Sequence, residues 1–280
     1  GHKEGHWVML QNIHLMPRWL VELEKKLDQF AQDAGGTNPA FRLFLSAEPS
    51  TDIPIGILER CIKLTNEPPA GLKANMKRAW TYFPKEEIED KDPRVKTILF
   101  GLCFFHSTVL ERRKFGAMGW NMFYPFNIGD LRDSYNVLNK YFEGAIGKIP
   151  WDDLTYIFGE IMYGGHIVDD WDRRLCRSYL EHMMNNNLLD EIELYPFVEG
   201  KNISLKCPPP SPYEKYIEYI EQAIQGETPL AYGLHPNAEI GFRTAQCNLL
   251  FNTLLELQPK DTGSTSDESG GSQVKTKQEM

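Results

Sequence analysis

The sequence is short of the features that most often betray a chemistry. Its five cysteines, Cys61, Cys103, Cys176, Cys207 and Cys247, form no C-x-x-C pair and have no histidine at ligand spacing. A disulfide framework or a zinc site is therefore not expected, and a reducing compartment fits best. Cationic charge is scarce: 30 Lys+Arg stand against 39 Asp+Glu in 280 residues, a net charge of -9. That balance argues against nucleic acid or an anionic membrane as the main partner, since both need a concentrated positive field. The longest apolar run, Ile98 to Phe105, falls far short of the ~20 residues that span a bilayer. No basic stretch followed by an apolar one opens the chain, so no secretory signal is expected. No G-x-x-x-x-G-K-[ST] phosphate loop occurs. The nearest string, Gly144-Ala145-Ile146-Gly147-Lys148, follows a helix and reads as a helix cap and turn.

What is present is ordinary globular composition, with 41% hydrophobic and 25% charged residues. The first segment alternates strand and helix. His6 to Leu10 and Phe41 to Leu45 are short continuous apolar runs, the mark of strands covered on both faces, and Cys61 to Leu64 is a third, weaker one. Between the first two, Pro17 opens a helix with Leu20, Leu23, Leu27 and Phe30 on one face, ending before Gly35-Gly36. Strand, helix, strand at this spacing predicts a parallel crossover unit. Three strands look like the second half of a doubly wound domain.

From Pro69 the period turns helical. Asp92-Pro93 caps a helix running through Val95, Ile98, Leu102, Phe105 and Val109 into Glu111-Arg112-Arg113-Lys114. Further helices are predicted from about Asp130 to Glu143, from Pro150 to Gly164-Gly165, and after Asp169, together a helical bundle or lid. Leu188 to Pro212 loses its period and ends in three prolines, a stiff connector. Ser211-Pro212-Tyr213-Glu214 reads as a capping box for a helix carrying Ile217, Ile220 and Ile224. A last helix runs from about Ile240 to Leu257, and residues 262–280 are polar enough to predict disorder.

Ligands of open parallel sheets sit at the carboxyl ends of the strands. Here those ends are Gln11-Asn12 and Ser46-Ala47-Glu48. Gln11 and Asn12 are neutral amides, poor Mg²⁺ ligands and unable to act as a general base. The plainer reading is that they tie strand ends to loops. Arg60, at the end of a short helix, is placed where ring ATPases carry an arginine that reaches a neighbour's phosphates; a surface ion pair with Glu59 or Glu67 is the default. His166 with acids of Asp169-Asp170-Trp171-Asp172 offers a metal reading, against helix capping with Arg173 and Arg174 as ion-pair partners. His106 lies on an apolar face and reads as a hydrogen-bonded core residue. The Glu111 to Lys114 run reads as a solvated last turn in preference to a phosphate or partner contact.

Six stretches carry a resemblance: Gly5 to Leu15 (GHWVMLQNIHL), Phe41 to Pro49 (FRLFLSAEP), Ile62 to Pro69 (IKLTNEPP), Leu110 to Asn121 (LERRKFGAMGWN), Pro150 to Leu175 (with YGGHIVDDWDRRL) and Tyr232 to Phe242 (YGLHPNAEIGF). In this order they resemble dynein heavy chains, and the axonemal, outer-arm type more than the cytoplasmic. The resemblance implies an α/β part followed by a mainly α part. Residues 1–68 would be the C-terminal half of the sixth AAA+ large subdomain, with a partial parallel sheet. Residues 69–189 would be its helical lid, 190–261 the start of the C-terminal domain, and 262–280 a disordered tail. The module's phosphate-loop region would lie upstream of residue 1, as a piece cut from a longer chain would have it.

The resemblance further implies a segment of an ATP-driven, minus-end-directed microtubule motor that powers ciliary and flagellar beating. This piece would be a non-hydrolysing, force-transmitting part, inactive alone, with no catalytic residue, metal or cofactor of its own; ATP and Mg²⁺ would belong to upstream modules. Gln11, Asn12 and Ser46 are the strand-end candidates for any residual nucleotide contact, and Arg60 the candidate trans arginine. Implied partners are the other AAA+ modules of the same heavy chain, and intermediate chains, light chains and microtubules through the parent complex. The implied location is cytoplasmic and cytoskeletal, in the axoneme. Two other readings remain: a free-standing regulatory or scaffolding protein, and a complete small enzyme using the strand ends with His166 and Asp170.

Overall fold

The computed structural model describes residues 1–32, 35–65, 67, 69–143, 147–190, 192–200, 203–224 and 228–258. The expected disordered tail and the first three residues of the Gly144 to Lys148 string lie outside the described residues. The chain forms two compact units, Gly1–Pro68 and Pro69–Met280.

In the first unit, strand β1 (Trp7–Leu10) and strand β2 (Arg42–Leu45) pair in parallel, Trp7 opposite Arg42 and Leu10 opposite Leu45. Helix α1 (Pro17–Gln32) makes the crossover, and helix α2 (Ile55–Arg60) follows β2. Leu20 and Leu23 of α1 meet Ile13, Ile53 and Ile57 in a small core, with Leu10 and Leu45 packed against it. Alternation along each strand sends Val8, Leu10, Leu43 and Leu45 towards this layer and leaves Trp7, Met9 and Phe44 outside. The expectation of strands covered on both faces is thus corrected: among the described residues of this unit the helices cover one face. The expected third strand is corrected as well. Cys61 to Leu64 joins no ladder, and Ile62 and Leu64 are each more than nine-tenths exposed. An extended apolar segment becomes a strand only where a neighbour accepts its backbone groups.

The second unit is built around α5 (Pro93–Arg112). Asp92 caps it, accepting the Arg94 amide at 2.8 Å, and Pro93 takes the first position, where no amide partner is needed. Every residue from Thr97 to Val109 is buried, as a helix apolar on all sides requires. Its polar members turn inward on the helix itself: the Ser107 and Thr108 hydroxyls donate to the Cys103 and Phe104 carbonyls. Around α5 lie α3 (Leu72–Thr81), α4 (Lys85–Glu89), α6 (Ile128–Glu143), α7 (Trp151–Tyr156) and α8 (Asp170–Met183). A turn of π-helix, Ile157–Met162, continues α7.

Described residues between 196 and 238 pack onto the core built around α5. Strands β3 (Pro196–Gly200) and β4 (Ile203–Lys206) form an antiparallel hairpin inside the stretch expected to be a connector. Phe197 stacks on Phe104 of α5 at 4.7 Å between ring centroids. Helix α9 (Tyr213–Ala223) brings Tyr216 against Trp80 at 4.5 Å. The expected capping box does not form: the Ser211 hydroxyl donates to the Pro209 carbonyl and Glu214 pairs with Lys85. The Tyr213 amide goes instead to Glu89 of α4 at 3.2 Å, a cap supplied by tertiary packing. The last helix, α10 (Asn237–Leu257), buries only Ala238 and leaves Leu249, Leu250, Phe251, Leu254 and Leu255 more than half exposed. No helix among the described residues is long and apolar enough to cross a membrane.

Candidate functional site

The strand ends of the first unit come together, and backbone groups do most of the joining. Asn12 sits in the left-handed region (φ 55°), which swings its amide onto the Ser46 hydroxyl at 3.1 Å. The Ile13 amide donates to the Ser46 carbonyl and the Ser46 amide to the Leu10 carbonyl, each at 3.0 Å. The Glu48 amide donates to His14 Nδ1 at 3.1 Å. Gln11 is exposed, and its amide reaches only the Met9 sulfur at 3.9 Å. Beside this clasp lies an open concavity of about 480 Å³ lined by Met9, Leu10, Gln11, Asn12, Ile13, Met16 and Trp19. None of these carries a charge, so the lining offers no cation to a phosphate and no carboxylate to a metal ion. Arg60 forms an ion pair with Asp28 of α1, replacing the expected partners Glu59 and Glu67.

The second unit holds the less expected cluster. Glu111 and Arg112 are buried, and the reading of this run as a solvated turn is corrected. Both Arg112 Nε and Nη2 donate to the Gly119 carbonyl, at 3.1 and 2.9 Å. Its Nη1 donates to the Tyr232 carbonyl at 2.6 Å and the Tyr179 hydroxyl at 2.5 Å. The guanidinium also faces the Trp120 and Tyr179 rings, at 5.7 and 5.1 Å. Burial pulls its pKa down, with Tyr179 and Asp172 opposing. Gly119 is needed for this approach, because a Cβ there would lie 1.8 Å from the Arg112 carbonyl oxygen. Glu111 accepts the Gly71 amide at 2.7 Å and the Asn75 side chain at 2.5 Å, and pairs with Lys114 at 2.7 Å. One turn of α5 therefore ties together the starts of α3, the Gly119 loop, α8 and the segment before α10.

The acids after His166 work as structure. Asp169 caps α8; the Asn121 side chain donating to it at 2.9 Å first, and the Asp172 amide at 3.1 Å second, keep its carboxyl below the usual range. Asp172 is buried and accepts the Tyr124 hydroxyl at 2.7 Å; burial first and this bond second push the Tyr124 pKa up to about 12. His166 turns to Asp130 of α6 at 2.9 Å, and Asp170 is exposed. Arg173 reaches Glu160, and Arg174 lies over Trp171. Among the described residues no three histidine, cysteine or acidic side chains converge as metal ligands. His106 is buried, is hydrogen-bonded through Nδ1 to the Tyr163 hydroxyl at 3.0 Å, and has its pKa lowered to about 3 by burial.

Comparison with known families divides the chain as the geometry does. Residues 1–65 match the dynein heavy chain region D6 P-loop domain, and residues 95–238 match the dynein heavy chain AAA lid domain. The chain belongs to the dynein heavy chain family. The ciliary dynein beta chain of Tripneustes gratilla is 52% identical over 93% of this chain. Human dynein axonemal heavy chain 17 is 51% identical over 94%, and the flagellar outer arm dynein beta chain of Chlamydomonas reinhardtii 46% over 94%. The chain spans about 6% of the length of each of these dyneins.

In dynein terms the strand-end clasp lies in the D6 match and the Arg112 cluster in the lid match, while most of α10 lies beyond it. Sequence reasoning missed the burial of Arg112 because a basic run at a helix end is usually solvated. The available signal was the aromatic and glycine content of Phe115 to Trp120 directly after it, a segment with rings and carbonyls to offer a guanidinium.

Proposed function

We propose that this dynein segment is a ring part of an axonemal motor, one that carries force and does not itself turn over nucleotide. The parent chain in this reading is an ATP-driven, minus-end-directed microtubule motor of the outer-arm type. It works in the axoneme of cilia or flagella, with ATP and Mg²⁺ held by other modules. The names of the relatives, ciliary, axonemal and flagellar outer arm, support this subtype. Its partners are the remaining AAA+ modules of its own chain and, through the whole complex, intermediate chains, light chains and microtubules.

The observation that carries the non-hydrolysing role is the strand-end clasp. The backbone amides of Asn12 and Ile13 are already spent on Ser46 and that of Ser46 on the Leu10 carbonyl, and the adjoining concavity has no charged lining. The Arg112 cluster supports the mechanical half, because a guanidinium bonded to three separate elements makes them move together. Equilibrium binding of a fluorescent ATP analogue with Mg²⁺ to this chain tests the reading. No saturable binding at micromolar ligand is expected. Micromolar binding abolished by Gln11→Ala would overturn it.

A further inference from the structure

A groove apart from both clusters runs between α7 with its π-helical turn and the second half of α8. It encloses about 360 Å³, and its walls include Trp151, Asp152, Tyr156, Glu160, Arg177 and Glu181. The local sequence explains why a groove exists here. Gly159 packs directly on Leu180 of α8, and a Cβ on Gly164 would lie 2.1 Å from the Gly159 carbonyl oxygen. The two glycines thus let the chain wind into a π turn, with the Tyr163 amide reaching the Phe158 carbonyl at 2.9 Å. Such turns re-aim side chains and are frequent at functional sites. This one places Glu160 beside α8.

The lining is complementary to a positive charge. Three carboxylates, Asp152, Glu160 and Glu181, face one guanidinium, Arg177, which is committed to Glu181 at 2.7 Å. Glu160 has a long contact to Arg173 at 3.7 Å, and the Asp152 carboxylate has no partner among the described residues. Two rings complete the walls. The Trp151 indole donates to the Asn186 side chain, which fixes its plane, and Tyr156 stands 61% exposed. Aromatic faces beside one unpaired carboxylate, Asp152, and one loosely paired, Glu160, favour a guanidinium or ammonium group and disfavour an anion.

We propose that this groove is a docking site for an arginine or lysine side chain presented by a partner polypeptide. Arginine fits better, because its planar group stacks on a ring while its edge donates to a carboxylate. The test uses the whole chain, ¹⁵N-labelled, titrated with acetyl-Gly-Arg-Gly-amide and, separately, acetyl-Gly-Glu-Gly-amide. The indole N–H signal of Trp151, assigned through Trp151→Phe, is the readout. The arginine peptide is expected to shift it saturably and the glutamate peptide to leave it unmoved. Asp152→Asn and Glu160→Gln should each weaken binding by about threefold, and Tyr156→Ala by about threefold. Asp152 is exposed, so its variant keeps the fold and holds the test open if another fails. No shift, equal shifts from both peptides, or unchanged affinity in both carboxamide variants would overturn the proposal. Free spermidine binding as tightly as the peptide would do so too, reassigning the groove to a small polyamine.

Discussion

The two units dispose of similar apolar sequence in opposite ways. In the first, β1 and β2 are apolar throughout apart from Arg42, yet Trp7 is 73% exposed and Met9 59%. In the second, α5 carries the apolar run Ile98 to Phe105 and is sealed from Thr97 to Val109. What differs is the number of covering layers. A strand has two faces, and the described part of the first unit supplies helices to one of them; α5 is surrounded. Since fully burying a large apolar side chain contributes about 1.5–3 kcal/mol, most of the stability of the chain resides in the second unit. Arginines follow the same division. Arg60 holds an exposed ion pair, a type worth about 0–1 kcal/mol, whereas Arg112 organises a buried node.

The sharpest way to break this contrast is to compare the same residue type in the two units, following each by amide hydrogen exchange and urea melts. Trp80 is buried among Phe100, Tyr213 and Tyr216. Trp80→Ala should destabilise the second unit by about 4 kcal/mol, with protection lost along α3 and α5. Next comes Arg112→Met, which keeps the bulk and removes the donors. It strands the Gly119 carbonyl, while the Tyr232 carbonyl keeps the Tyr179 hydroxyl, and should cost about 2 kcal/mol. Exchange should accelerate at α8 and the residue 229–232 turn, with no change in β1 and β2.

A pH series comes third. His106 has an ordinary value of 6.5 and is held at about 3 by burial, with Arg113 and Arg78 adding to it. Below pH 6.5 the unfolded chain takes up a proton that the folded chain refuses. Stability therefore falls as pH drops from 6.5 towards 3, by up to about 1.4 kcal/mol per pH unit. Urea melts between pH 7 and 5 should show this slope, and His106→Gln should flatten it whatever its effect at neutral pH. The smallest effect belongs to Trp7→Ala, expected at about 0.5 kcal/mol or less. A loss as large as that of Trp80→Ala would mean that the outer sheet face is covered in solution.

Legibility followed locality. Helix α1 begins at Pro17 and runs through Gln32 as its period predicts, and Asp92 caps α5 as expected. Those features depend on residues within a few positions of one another. The hairpin at 196–206 was missed although Leu205 and Cys207 alternate with Ser204 and Lys206, because two short strands beside three prolines look like a connector until Phe104 is there to receive Phe197. Of the candidate site, the neutrality of Gln11 and Asn12 was visible in the letters. The clasp was not, because it depends on the Asn12 backbone and on Ser46, 34 residues away.

The sequence alone determined the family, the crossover at the start, the helical majority that follows, and the absence of a phosphate-loop motif, since motif and period are properties of order along the chain. Tertiary structure alone decided which apolar faces are covered, that Arg112 is buried, that Glu89 caps α9, and that α7 and α8 leave an acidic, aromatic groove between them. Each of those depends on what lies across space from a residue, and a helix end or a strand face carries no local record of its neighbour.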